Sequence, residues 1–319
     1  MMSDITTVHS DIIQSHILTR LDGPALASAA SATAHLRRLC TEHHLWRNIC
    51  AANWPSLTDP FAAALVAAFP AGHRSLFSDA FPALQHTPNP IPEPAPVPPE
   101  ELLSAVDILY KGKSVLSRTL RTETRKGWFL CSPLWVDLLD PNEVVPTALV
   151  FTQNDESQWL SHLHQHLSLS WIMIHPTRHR AANLSSRRAV GARRHWLTGE
   201  LEILYALPMD DVQCVIKVTC CGKVGGAVHV REVSLTMEDI EGRHVMGREG
   251  LVILQDAMET GKRVKPDAEE AVRRFDKFCS LRRERKERRM KRDKAMDLLA
   301  MLVAFSVFAT LFCFMAFSA

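Results

Sequence analysis

In the stretch Leu167-Ser168-Leu169-Ser170-Trp171-Ile172-Met173, every second residue is large and apolar. A strand turns successive side chains to opposite faces, so Leu167, Leu169, Trp171 and Met173 share one side. The same period runs through Leu201, Ile203 and Tyr205, and through Cys214, Ile216, Val218 and Cys220. The last of these runs leads through Gly222-Lys223-Val224-Gly225-Gly226 into Ala227 to Leu235, which predicts a hairpin with a glycine loop. Alternation flips between Val228/Val230 and Val233/Leu235, so a bulge is expected near Arg231 and Glu232. Several short strands with no long helical pattern between them predict a half-buried antiparallel sheet, folded as a β-sandwich over residues 100–260.

Moving toward the N-terminus, residues 87–99 place proline at nearly every second position. Proline fixes φ and removes an amide donor, which excludes helix and sheet and predicts a stiff spacer. A ligand for a proline-binding module is the alternative, but the flanking arginine of such a motif is missing. Residues 55–86 read as a helical extension and residues 5–54 as a helical module. There, Ile12, Ile13, Ile17, Leu18 and Leu21 form a stripe that stops at Asp22-Gly23-Pro24. A second run carries Leu26, Ala27, Ala30, Ala34 and Leu36, and a third Leu39, Leu45, Trp46, Ile49 and Cys50. Three short helices in about forty residues bury too little surface alone, which implies a partner.

The order and spacing of Asp11-Ile-Ile-Gln-Ser-His-Ile17-Leu18-Thr-Arg-Leu21, Leu26, Leu36-Arg-Arg-Leu39-Cys40 and Leu45-Trp46-Arg-Asn-Ile49 resemble an F-box. The pair His9-Ser10 stands where that motif usually opens with Leu-Pro. Further phrases look like a plant F-box group over most of the chain up to about Glu259: Asn53-Trp54-Pro55-Ser56-Leu57, Trp128-Phe129-Leu130-Cys131-Ser132-Pro133 and His195-Trp196-Leu197. In that group the β region is similar to the sandwich of phloem-type lectins. The resemblance implies a non-catalytic substrate adaptor of a cullin-based, SCF-type ubiquitin ligase. It would bind the Skp-type subunit through Ile12, Ile13, Ile17, Leu18, Leu21, Leu26, Leu36, Leu39, Leu45 and Trp46, and an unknown protein substrate through the β domain. The implied fold class is α+β: a three-helix module, a Pro-rich linker, an antiparallel β-sandwich and a C-terminal helix. A lectin-like carbohydrate-binding protein with incidental N-terminal helices stays open as the alternative.

At the other end, Leu298 to Ala319 holds no charged residue and is apolar around a helical wheel. As a helix it would measure about 33 Å, against a hydrocarbon core of about 30 Å. It predicts a transmembrane tail anchor facing the cytosol, with membrane lipid as partner; a buried terminal helix, and a cytosolic or nuclear protein, is the alternative. Residues 266–294 read as an amphipathic helix, with Ala271, Val272, Phe275 and Phe278 packed on the sheet, running into a basic segment. Residues 282–294 hold nine basic and three acidic side chains, so of the net charge of +2 the rest of the chain carries −4. The basic excess is local, suits anionic headgroups beside a membrane and gives no argument for nucleic acid.

The motifs for chemistry are thin. His162, His164 and His166 alternate, so on a strand they would share a face and form the best metal candidate. No cysteine or carboxylate at ligand spacing supports them, and a histidine-rich strand edge is expected instead. The eight cysteines lack a Cys-x-x-Cys pair and read as reduced core thiols. Nothing in the sequence calls for a cofactor, nucleotide or catalytic residue. Trp128, Trp135, Trp159, Trp171 and Trp196 are expected to fill the sandwich core, with stacking on a sugar ring as the alternative.

Overall fold

The computed structural model describes residues 9–86, 99–150, 156–222 and 225–317. The chain is α+β, with helices at both ends and antiparallel sheets between them. It opens with a short α turn, α1 (Ser10–Ile12), a π turn (Ile13–Ile17) and a 3-10 turn (Leu18–Arg20). Then come α2 (Gly23–Ala32), α3 (Ala34–Cys40), α4 (His43–Asn53), α5 (Pro60–Ala67) and α6 (His73–Ala80). The starts are written in the sequence. Asp22 accepts the Ala25 amide at 2.8 Å, Thr33 accepts that of Leu36 at 3.1 Å, and Asp59 accepts those of Phe61 and Ala62 ahead of α5. Thr33 splits in two the run expected as one helix from Leu26 to Leu36.

Strand β1 (Ala83–Gln85) is followed by β2 (Glu101–Tyr110) and β3 (Lys113–Glu123), a short helix α7 (Gly127–Cys131), then β4 (Trp135–Asp137) and β5 (Val145–Val150). Helix α8 (Glu156–His166) leads into β6 (Leu167–His175), β7 (Arg180–Asn183), β8 (Gly191–Arg194), β9 (Leu201–Met209), β10 (Val212–Cys221) and β11 (Ala227–Asp239). Helix α9 (Gly247–Thr260), β12 (Lys262–Val264) and the long α10 (Ala268–Phe317) close the chain. Four strands pair in the order β3-β2-β6-β7, and a larger sheet runs β4-β11-β10-β9-β8 with β5 also on β11. Strand β1 pairs with β12.

The two larger sheets share one core. Val106 and Ile108 of β2 and Leu169, Trp171 and Met173 of β6 meet Ile203, Tyr205, Ile216 and Val218 from the other sheet. The three alternating faces expected from the sequence are all buried there. In the β10–β11 ladder Thr219 faces Glu232 and Cys220 faces Val230, which leaves Arg231 as the extra residue of a bulge at the expected place. The loop residues Lys223 and Val224, and the proline strip over 87–98, lie outside the described residues.

The four-stranded sheet departs from the half-buried expectation. Its second face, Leu103, Ala105, Ile172, Ile174 and Ala181, belongs to a second core built with the N-terminal helices. Polar bolts cross that interface. Asp107 is 1% exposed and accepts the Ser56 amide at 2.9 Å and the Ser56 hydroxyl at 2.6 Å. Trp54 donates Nε1–H to Ser170 Oγ at 3.3 Å, and the Ala181 amide donates to Asp79 at 3.1 Å. The surface that three free helices would lack is therefore supplied within the chain, which corrects the expectation that a partner is needed for folding.

Two further expectations change. The three histidines lie on α8, where Trp159 and Leu163 join Leu167 in the core. On a helix, His162 and His166 share a face, with rings 4.4 Å apart, while His164 lies about 200° round from His162. His162 instead pairs with the Tyr110 hydroxyl at 2.6 Å. At the C-terminus, Phe278 is buried as expected and α10 continues through the basic segment. Among the described residues no helix is long and apolar enough to cross a membrane. From Leu298, side chains are described without a break to 310, about 20 Å of helix against a hydrocarbon core of about 30 Å. The transmembrane helix expected over Leu298 to Ala319 is not borne out there; the side chains of 311–313 and 316–319 lie outside the described residues.

Burial raises the Asp107 carboxyl above the ordinary carboxylate range, against the hydrogen bonds from Ser56 and Ser117. An acid whose pKa rises on folding adds stability at low pH, lost as pH climbs from the unfolded value through the folded one. In denaturant titrations against pH, the stability of the wild type minus that of Asp107→Asn should fall across that window and be flat above it. Asp107→Ala, which leaves the Ser56 donors unpaired, should cost about 1–3 kcal/mol at neutral pH.

Candidate functional site

The N-terminal helices are organised around Trp46. Its indole donates to the Cys40 carbonyl at 2.7 Å, and its ring lies 5.3 Å from that of Phe77. Phe77 in turn meets Trp54 at 5.7 Å and stacks on Phe81 at 4.5 Å. Gly23 opens α2 against this cluster: a Cβ there would fall 2.1 Å from the Phe77 ring, so only glycine allows the approach.

Of the ten residues expected to contact a partner, Ile13, Leu18, Leu26, Leu36, Leu39, Leu45 and Trp46 are buried in the chain's own core. Leu21 is half-buried, whereas Ile12 is 50% exposed and Ile17 39% exposed. The π turn explains why the stripe divides this way. The Leu18 amide donates to the Ile13 carbonyl, five residues back, so Ile13 and Leu18 point inward together. A regular helix would pair Ile13 with Ile17, as the spacing suggested. The structure also shows Pro24, Ala25, Ala27 and Ser28 as an exposed, small-residue face of α2, of which the sequence reading named only Ala27, within the second apolar run. Their signal was the alanine-rich composition of that helix. His9, at the usual place of the opening leucine, accepts from the Asp11 amide at 3.4 Å and so caps α1.

Electrostatically this region is neutral. Burial pushes the Cys50 thiol up to about 12, which keeps it protonated, and burial followed by Arg47 and His43 lowers His73. Elsewhere, Cys214 and Cys220 are also buried with pKa pushed up to about 12, as core thiols are. Among the described residues no three His, Cys, Asp or Glu side chains gather as a metal set. The tryptophans divide differently from expectation: Trp159 and Trp171 are buried, but Trp128, Trp135 and Trp196 are exposed. Trp135 on β4 and Trp196 beyond β8 sit at opposite edges of the large sheet, so these two share no stacking platform.

Three proteins of Arabidopsis thaliana resemble the chain over almost its whole length. F-box protein At2g27310 is 42% identical over 326 residues, which cover 97% of this chain and 96% of that protein. The chain belongs to the F-box proteins. F-box protein At3g44326 is 38% identical, covering 98% and 91%, and Probable F-box protein At2g36090 is 42% identical, covering 95% and 90%. No family model and no solved structure matches this F-box protein.

The inward and outward halves of the stripe should separate in mutagenesis of this F-box protein. Leu18→Asp forces a charge into the core and should cost more than about 3 kcal/mol, whereas Ile17→Asp should stay within about 0.5 kcal/mol of the wild type. Chemical denaturation of the two single variants reads the difference.

Proposed function

We propose that this F-box protein is the substrate-recognition adaptor of a cullin-based, SCF-type ubiquitin ligase, docking on a Skp-type subunit. The supporting observation is that, among the described residues, Ile12 and Ile17 stay exposed, Leu21 half-exposed, and α2 presents a small-residue face, in a member of the F-box family. Small side chains let a partner helix approach closely, and two isoleucines supply apolar anchors. Buried residues such as Leu18, Leu26 and Trp46 serve by holding these outward groups in place. The β domain takes the protein target, and the chain itself supplies no catalytic group in this reading.

The tail completes the proposal. Large apolar side chains of α10 from Leu298 to Phe308, among them Met301, Leu302 and Phe305, are each more than half exposed among the described residues. Stranded apolar surface of that extent suits a lipid environment, and the basic turns before it suit anionic headgroups. The adaptor would then work on the cytosolic side of a membrane.

Ile12→Asp/Ile17→Asp should abolish capture by a recombinant Skp-type protein in a pull-down while leaving the melting temperature close to that of the wild type; undiminished capture would reject the docking surface. Removal of residues 298–319 should move the protein from the membrane to the soluble fraction of a cell lysate. An intact chain found wholly in the soluble fraction would reject the tether.

A further inference from the structure

A cavity of about 280 Å³ lies between β1, β12, the turn after β7, the end of β9 and the start of α10. That is just below the range of ligand pockets, which run from about 300 to 1,000 Å³. Pro82, Ala206, Leu207 and Val264 give it apolar walls, and Asn183, Arg187 and Arg274 bring polar groups to it.

One of these three polar groups keeps a donor without a partner among the described residues. Asn183 is 3% exposed, and its Oδ1 accepts the amides of Trp171 at 3.2 Å and Ser185 at 3.1 Å. Two donors on Oδ1 fix the orientation of the amide, and its Nδ2 then meets no acceptor among the described residues. A buried donor without a partner is rare and calls for an explanation. Arg187 holds φ at +62° and sets its guanidinium 4.6 Å from the Phe81 ring centre, donating through Nη2 to the carbonyls of Ala80 and Phe81. Arg274 donates to the Pro208 carbonyl at 2.8 Å and that of Leu84 at 3.4 Å.

Both guanidiniums are thus hydrogen-bonded to backbone carbonyls. Of the acids in the wall, Asp267 caps the amides of Glu269 and Glu270, and Glu270 pairs with Arg273 at 3.0 Å while its charge also acts on Arg274. Burial lowers Arg187 to about 10, so it keeps its charge at neutral pH. Arg187 and Arg274, with Arg188 and Lys265 also in the lining, and an orphan amide donor are the complement of an anion with an apolar body.

We propose that this cavity is a binding site for a small carboxylic acid, its carboxylate held by Arg187, Arg274 and the Asn183 amide and its apolar body by the walls named above. The site lies on the sheets and α10, away from the docking surface of the N-terminal helices, and stands independently of the ligase reading.

Calorimetric titration of the full chain with 2-naphthoate, its neutral isostere 2-naphthamide and inorganic phosphate tests the proposal. Naphthoate should bind at least about tenfold more tightly than naphthamide and phosphate. Asn183→Asp keeps the Oδ1 acceptor but replaces the orphan donor with an acceptor, and Arg274→Gln removes one cation. Each should weaken naphthoate by about tenfold or more and leave naphthamide unchanged. No binding of naphthoate, equal binding of naphthoate and naphthamide, or naphthoate affinity that survives both substitutions would overturn the site. Phosphate binding as tightly as naphthoate would overturn the organic acid in favour of a bare anion. The comparison of ligands on the wild-type chain decides the matter even if a variant fails to fold.

Discussion

Strands β2, β6 and β7 of the four-stranded sheet are buried on both sides, and most of the architecture follows from that constraint. Residues of odd number in β6, Leu169 to Met173, face the large sheet, while Ile172 and Ile174 face the N-terminal helices. A sheet without a wet face forces its polar side chains to find partners inside the protein. Ser170 takes the Trp54 indole, Ser104 takes the Trp171 indole at 3.1 Å, and Asp107 takes both donors of Ser56. The helical region is therefore a third layer of a single body. Its outward face stands in a fixed relation to the β domain, as the proposed adaptor role would require.

Much of this was legible in the residues. Alternation identified the inward faces of β6, β9 and β10, and the phase change after Val230 identified the Arg231 bulge, because burial of one strand face is a strong local constraint. The other face of the small sheet was harder to read. Ser168 and Ser170 made it look solvated, since nothing in the local pattern reveals a distant indole as the partner. The histidine segment misled in the opposite way: His162, His164 and His166 alternate, but Trp159, Leu163 and Leu167 repeat every four residues, and the helical period prevailed because those are the side chains that reach the core.

The apolar stripe of the first turns was legible as a set but not in its orientation. Apolar spacing marks where an amphipathic turn lies, but the same isoleucines and leucines serve a core or an interface equally well. The π turn at Ile13–Ile17 decides which does which, by shifting the inward position from Ile17 to Leu18. Side-chain type carries no record of that extra backbone residue per turn. Tryptophan placement failed for a related reason: Trp128, Trp135 and Trp196 have the bulk of core residues but sit on a short helix, at a sheet edge and beyond the end of an edge strand.

Helix α10 adds a mechanical property. Arg282, Arg285 and Arg289 pair with Glu238, Asp211 and Glu241 at the ends of the large sheet, and Gly242 lets the Arg282 guanidinium come closer than any Cβ would permit. Each exposed pair contributes little by itself, yet together with buried Phe278 they fix the direction in which the helix leaves the domain. From Arg289 to Leu298 the helix rises about 14 Å. Under the tether proposed above it would act as a gauge rod, setting the stand-off and tilt of the whole domain from the surface that received its end. Because its clamps are charged and wet, that alignment should slacken as ionic strength rises while the fold itself holds.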